Sequence, residues 1–218
     1  MRYDVLGLGF VCLEEVLGTD LTVVNSARVS FSKRSEQLSN GDIRLISYLA
    51  KNNHFTPFAQ PQIRFHFKMP IFVARQWYKH TIGLTRNEVS RRYVSDEPSF
   101  HLPDSLRLAA PNVKQGSSDE EHLFSSSLIE LMRYSHGECL RVYKKLIEEG
   151  VCAEQARMVL PQSMFTEFIE TGSLAAYARI YSLRCAKTAQ YEIQQYAIAM
   201  GRCIESAFPH SWKALTNE

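Results

Sequence analysis

Nineteen residues, Arg75 to Tyr93 (RQWYKHTIGLTRNEVSRRY), concentrate the groups able to act on a ligand. Arg75, Lys79, Arg86, Arg91 and Arg92 carry five formal positive charges against the single carboxylate of Glu88. His80, Thr81, Asn87 and Ser90 add uncharged hydrogen-bonding groups. A guanidinium presents a planar fork of donors that meets phosphate or carboxylate at two points, and hydroxyl or amide groups can orient what the charge attracts. A basic run is most often a solvated face. In this chain, however, the apolar run PIFVA, residues 70–74, stands directly before it, and Trp77 and Tyr78 are interleaved with the cations. Cations and aromatics emerging from a buried element have the composition of a pocket for a flat anionic ligand such as a nucleotide or flavin.

The rest of the chain has to position that stretch. Its 218 residues fit one domain spanning 1–218, and 45% hydrophobic and 22% charged residues are ordinary globular proportions. A net charge of +2 is too small for a general nucleic-acid binder, so the local excess of cations marks a site and the expected partner is small. Cys12, Cys139, Cys152, Cys185 and Cys203 are scattered without a CxxC pair, which favours a reducing compartment. The N-terminus lacks the layout of a signal peptide, and no apolar run reaches the roughly 18 residues of a membrane helix. A cytoplasmic location without membrane or nucleic-acid partners is therefore expected. The seven histidines form no HExxH, and no His/Cys cluster has zinc-finger spacing, so no metal is expected.

Along the chain, Arg2 to Val11 reads as a strand, a turn and a second short strand. Its Gly7-Leu8-Gly9 lacks the third glycine of a dinucleotide-binding turn. Thr19-Asp20 can cap a helix through Asn25, Arg28 is a surface or paired residue, and Asp42 to Lys51 has helical apolar spacing. Pro57 should hold Thr56 extended within the rigid loop HFTPF. Residues 62–68, QIRFHFK, alternate as a half-buried strand, followed from Pro70 by the helix that delivers the basic stretch. Val94 to Asn112 offers strand pieces at most, and Lys114 to Asp119 a loop. Ser117 and Ser118 ahead of Glu120 and Glu121 suggest a capping box opening a long helix to Glu149, which Gly137 could interrupt. A short helix over Ala153 to Leu160 and a helical region from Ser173 to Phe208 complete the reading. The class expected is α+β, a single domain with a mainly antiparallel sheet and several long helices.

Several segments, in order, resemble one family. Lys79-His80-Thr81, eight residues, then Ser90-Arg91 occupy the frame of the signature of flavin-dependent thymidylate synthases, where Arg-His-Arg precedes Ser and a basic residue. ARVSF, HFTPF, PIFVARQW, NEVSRRY, ARMVLP and LRCAKTAQYEIQQYA extend the likeness almost from end to end. The resemblance implies methylation of dUMP to dTMP, with methylenetetrahydrofolate as carbon donor, FAD as redox cofactor and NADPH to recharge it. It also implies a homotetramer with shared active sites and no cysteine nucleophile. Carried over residue by residue, Gln76, Glu88, Ser90, Arg91, Arg92, Arg157 and Arg184 match positions that hold dUMP. Arg184 matches the arginine that polarises the uracil, and Ser90 positions substrate. Thr56, Lys79, His80, Ile82 and Glu88 match flavin contacts, and His54 lies where folate and nicotinamide approach.

The departures are specific. Lys79 keeps a charge without the fork, Thr81 loses the charge, Ala59 stands at an expected acidic position, and TGSLAA, residues 171–176, lacks a polar and basic pair that often contacts flavin. Arg86 is a candidate to supply the guanidinium missing at Thr81. Two other readings compete. One is a flavin-dependent pyrimidine nucleotide modifier with altered chemistry. The other is a non-enzymatic nucleotide- or RNA-binding module, with Trp77 and Tyr78 stacking on bases.

Overall fold

Strict alternation builds the centre of the molecule. In the computed structural model, which describes residues 1–94, 96–110 and 116–216, Ile63, Phe65, Phe67 and Met69 all point inward from strand β3 (Gln62–Pro70). β3 is flanked on one side by β2 (Gly9–Leu17), which pairs with β1 (Arg2–Val5), and on the other by β7 (Phe165–Ser173), which pairs with β4 (Leu84–Glu88). Every neighbouring pair is antiparallel, giving a five-stranded sheet in the order β1-β2-β3-β7-β4. A separate ribbon joins β5 (Arg107–Ala109) to β6 (Ser117–Glu121).

One face of the sheet carries the aromatic core. Phe67 packs between Trp77 and Phe168, each with ring centroids 5.1 Å away, and Phe65 meets Tyr177 edge-on at 5.2 Å. Helices supply the rest: α1 (Asp20–Arg28), α2 (Asn40–Lys51), α3 (Ile71–Trp77), α6 (Leu174–Arg184), α7 (Tyr191–Ala207) and α8 (Pro209–Thr216) all bury residues in the same cluster or in contact with it. α4 (Ser125–Glu148) and the single turn α5 (Ala153–Ala156) lie apart from it, and α4 leaves Leu131 and Tyr134 exposed. The α+β class and the antiparallel sheet stand as expected.

Several elements differ from their sequence signals. β7 hides because its inward positions are Thr166, Phe168, Glu170 and Gly172 while Ile169 faces out, so polarity does not track burial. β4, inside the basic stretch, has little apolar character and is held by its pairing with β7. Ser117–Glu121 is a strand rather than a capping box, since Glu121 pairs opposite Arg107. The long helix starts at Ser125 and runs unbroken past Gly137. Of the loop expected at residues 114–119, Lys114 and Gln115 lie outside the described residues and Ser117 onward is strand. Thr56 is not extended. It opens a 3-10 turn, Thr56–Ala59, in which Pro57 is tolerated because a first-turn residue needs no N–H partner. The late helical region divides into α6 and α7. α8, unforeseen, closes the chain against its beginning.

Asp20 makes that closure. It is 5% exposed, and its two carboxylate oxygens accept the backbone N–H groups of His210 (3.0 Å) and Ser211 (2.9 Å), two donors that a helix N-terminus leaves without intrahelical partners. Arg28, at the other end of α1, is paired: its Nε lies 2.9 Å from Oδ1 of Asp42, and Ser39 donates to Oδ2 at 2.6 Å. These hydrogen bonds and the guanidinium bring the Asp42 carboxyl down to about 2. Asp20→Ala should destabilise the fold by about 1–2 kcal/mol, and Asp20→Asn by less, in chemical denaturation.

Candidate active site

Pro70, extended at the N-cap, starts α3, and α3 ends at Trp77 with its indole Nε1–H donating to Glu170 Oε1 at 3.1 Å. The turn that follows reverses the chain through Gly83, at φ +75°, into β4. Register then sets Arg86 directly across from Glu170. Arg86 Nε donates to Glu170 Oε2 at 2.6 Å, Nη2 to the His80 carbonyl at 2.6 Å and Nη1 to the Tyr78 carbonyl at 3.3 Å, while the guanidinium carbon lies 4.9 Å from the Tyr78 ring centroid. Glu170 is 0% exposed; burial pushes its carboxyl up, against the pull of Arg86. All three Arg86 nitrogens are thus committed inside the protein. Arg86 does not stand in for the arginine absent at Thr81. Trp77, fully buried on Glu170, has no face left for a base.

His80 is also buried, at 7% exposure. Arg184, the last residue of α6, donates from Nε to His80 Nε2 at 2.9 Å and from Nη2 to the Gln76 carbonyl at 3.2 Å. A guanidinium only donates, so Nε2 must accept and the imidazole is the neutral Nδ1–H tautomer. Burial, and then the charges of Arg184, Arg179 and Arg86, press its pKa down to about 4. Gln76 is held from the other side. Its amide donates to Gln190 Oε1, Gln190 donates to Glu192 Oε2 at 2.8 Å, and Arg107 Nη2 meets Glu192 Oε1 at 2.9 Å. Glu170, Gln190, Glu192 and Arg107 were not singled out from the sequence. Gln190 and Glu192 do fall within the family-like segment around Ala189-Gln190-Tyr191-Glu192, which is the signal that could have found them.

A cleft of about 560 Å³ gathers Glu88, Ser90, Arg91 and Arg157, four of the seven residues that the resemblance assigns to dUMP, with Glu154 and Thr166. Glu88 Oε1 accepts from Thr166 Oγ1 at 2.6 Å, Ser90 Oγ accepts the Arg92 backbone N–H at 3.3 Å, and Arg91 donates to the Asp96 carbonyl. Arg92 is turned to Glu154 at 2.6 Å. Arg157, delivered by the 3-10 turn Arg157–Val159 after α5, has no ion-pair partner among the described residues. No cysteine lines this cleft. The set is two guanidiniums and a hydroxyl around a space large enough for a mononucleotide, with two carboxylates in the walls: Glu154, paired with Arg92, and Glu88, which can accept from a hydroxyl or N–H.

His54 and Thr56 lie in another cavity, about 710 Å³, walled by Phe31, Tyr48, Phe55 and Pro57 between α1, α2 and the Thr56–Ala59 turn. Lys79 and Ile82 sit exposed on the α3–β4 turn and do not line it, so one copy of the chain leaves the residues assigned to flavin apart. Their chemistry still fits a flavin: aromatic walls suit a flat ring, and the Lys79 ammonium, without an ion-pair partner among the described residues, suits an anionic group. Ser173, at the departing TGSLAA segment, is occupied as the N-cap of α6, accepting from Ala176 at 3.2 Å.

Because His80 is held neutral in the fold and titrates at its ordinary value of 6.5 when unfolded, the unfolded chain binds more protons between pH 6.5 and 4. Its contribution to stability is complete above pH 6.5 and falls away as the pH drops towards 4. Unfolding measured across that window should be less pH-dependent for His80→Asn than for the parent.

The fold and the sequence have known counterparts. Residues 12–210 match the family described as thymidylate synthase complementing protein. A flavin-dependent thymidylate synthase of Thermosipho melanesiensis is 39% identical over 215 residues, covering 98% of this chain and 93% of that protein. One from Thermus thermophilus is 38% identical over 214 residues, covering 98% of this chain and 78% of its own. Among solved structures, the UMP/dUMP methylase PolB from Streptomyces cacaoi bound with 5-Br dUMP superposes with a TM-score of 0.87 at 27% identity, over 96% of this chain and 95% of that one. The span 12–210 takes in the basic stretch, the Ser90–Arg91 cleft and the Arg184 helix, and on these matches the chain belongs to the thymidylate synthase complementing protein family, the flavin-dependent thymidylate synthases.

Proposed function

We propose that this protein methylates dUMP at C5 to give dTMP, taking the carbon from methylenetetrahydrofolate, with FAD as redox cofactor and NADPH as its reductant. The observation that carries the reading is the cleft in which Arg91, Arg157 and Ser90 converge beside Glu88. Two cations and a hydroxyl suit a phosphate dianion, and the Glu88 carboxylate can accept from the sugar or base. Arg184 acts on the uracil. With Nε and Nη2 fixed on His80 and Gln76, its guanidinium is oriented in advance, and charge building on a uracil oxygen is stabilised without reorganisation. Bound flavin supplies the hydride chemistry that amino-acid side chains lack. The absence of cysteine from the cleft supports a route without a thiolate adduct on the ring.

The separation of His54 and Thr56 from Lys79, His80 and Ile82 supports a homotetramer whose sites draw on more than one subunit, and five free cysteines favour a reducing, cytoplasmic setting. No helix among the described residues is long and apolar enough to cross a membrane. The PolB neighbour is named for UMP as well as dUMP, so UMP is the second substrate to assay. Burial of Trp77 removes one of the two stacking surfaces that an RNA-binding reading would use.

The test begins with flavin retained by the purified protein and a spectral change on adding dUMP, followed by dTMP formation. Arg184→Ala should lower kcat about 10²–10³-fold. Arg157→Ala should raise KM for dUMP about 10- to 100-fold with a smaller change in kcat. Light scattering should give a mass four times 25.0 kDa. Protein that holds neither flavin nor dUMP, or that holds both and forms no methylated product, overturns the reading.

A further inference from the structure

Arg86 and Glu170 lie outside the residues the resemblance assigns, yet among the described residues they form the most buried ion pair, with side chains 17% and 0% exposed. A buried pair of this kind contributes little stability beyond what apolar residues of the same shape would give, because desolvating both charges offsets their attraction. Its geometry suggests another role. The carbonyls of Tyr78 and His80 point away from the end of α3, where backbone acceptors lack intrahelical donors, and Arg86 spans both with two nitrogens while its third is tied to Glu170. Glu170 is fixed in turn by the Trp77 indole and by its place in β7, directly across from Arg86. The outer part of the same turn is held separately, by Arg179 on the Ile82 carbonyl at 3.0 Å.

We propose that Arg86 and Glu170 are positioning residues for Arg184: their clasp on the Tyr78 and His80 carbonyls sets the His80 ring where its Nε2 accepts from Arg184 Nε, and so aims the guanidinium. The chain of contacts is short and continuous, from Glu170 to Arg86 to the His80 backbone to the His80 ring to Arg184. It also accounts for the departures at 79 and 81. A turn clasped from beneath by Arg86 does not depend on arginines at those positions to keep its shape, and Lys79 and Thr81 are left exposed on its outer side. The inference rests on the proposed role of Arg184 in dUMP methylation, and its test separates the two.

The decisive variant replaces both charges together, Arg86→Met with Glu170→Leu, since removing a buried pair as a unit spares the fold while removing one partner strands the other. Two readouts are taken: steady-state kinetics with dUMP, and the His80 tautomer from NMR of histidine labelled with ¹³C and ¹⁵N. The parent should show a single Nδ1–H tautomer at His80. The double variant should fold, show a tautomer mixture and lose about 10- to 100-fold in kcat with KM for dUMP changed much less, as expected when a reacting group is displaced by a fraction of an ångström to one ångström. A folded double variant with the parent's tautomer overturns the proposal, as does one with the parent's kcat. Were the double variant not to fold, Glu170→Gln, which keeps the shape and an acceptor for Trp77, carries the same two readouts in the same directions. If the parent forms no dTMP, loss of the tautomer still upholds the clasp, and the failure lies with the reaction.

Discussion

The pairing of β3 with β7, nine residues in unbroken register from Gln62 opposite Ser173 to Pro70 opposite Phe165, is the constraint on which the rest depends. It places Phe67 beside Phe168 and fixes the two exits from the sheet. At Pro70 the chain turns into α3 and on to the basic turn; at Ser173 it turns into α6 and on to Arg184. Both helices start at the margins of one strand pair, so the ends that carry His80 and Arg184 are set against each other by sheet geometry before any charge is considered. A one-residue slip of β3 against its neighbours would turn Phe65 and Phe67 outward while Phe168 stayed inward, breaking the stacked pair at the centre of the core. That is why the core and the site cannot be rearranged independently.

Electrostatics then works within this frame. Glu170 occupies an inward position of β7 where an apolar residue would pack, and a lone buried carboxylate there would be costly. Cross-strand Arg86 neutralises it and hydrogen-bonds the turn in the same act. Further along, burial and then the positive charges of Arg184, Arg179 and Arg86 keep the His80 imidazole neutral and make it an acceptor. A protonated His80 could not receive Arg184. Charges that would attract an anionic ligand therefore also reinforce, after burial, the neutral state of the residue that orients one of them.

What the sequence made legible follows the strength of its local signals. β3 was plain because burial and hydrophobicity alternate together over seven residues, and α2 because its apolar spacing from Asp42 to Lys51 is regular. β7 and β4 were missed because their stability comes from partners: Glu170 at an inward position and Arg86 in a strand have no meaning until the register pairs them. Ser117 and Ser118 carried a helix-start pattern, yet the hydrogen bond from Arg107 Nε to Ser117 Oγ belongs to a β-ribbon. At the site, residue types close in sequence were readable, and the cleft of Glu88, Ser90 and Arg91 with distant Arg157 came from family resemblance rather than spacing. The supports of Gln76 and His80 were not readable, because a glutamine, a buried glutamate and a cross-strand arginine look like ordinary composition in one dimension.

The altered triplet acquires a physical sense in this setting. Arginine at both flanks of His80 would offer forks to a ligand, whereas here the guanidinium of Arg86 is turned inward and the outward groups at 79 and 81 are an ammonium and a hydroxyl. An ammonium is a point charge that tolerates many orientations of an anion, so Lys79 holds charge with less geometric demand than a fork. Precision is transferred to the inside of the turn, where Arg86 meets fixed carbonyls at 2.6 and 3.3 Å in a setting shielded from water. Hydrogen bonds between ordered groups in a low-dielectric interior hold direction better than contacts at an exposed edge. The turn can thus vary at its surface positions while the direction of Arg184 stays fixed from beneath.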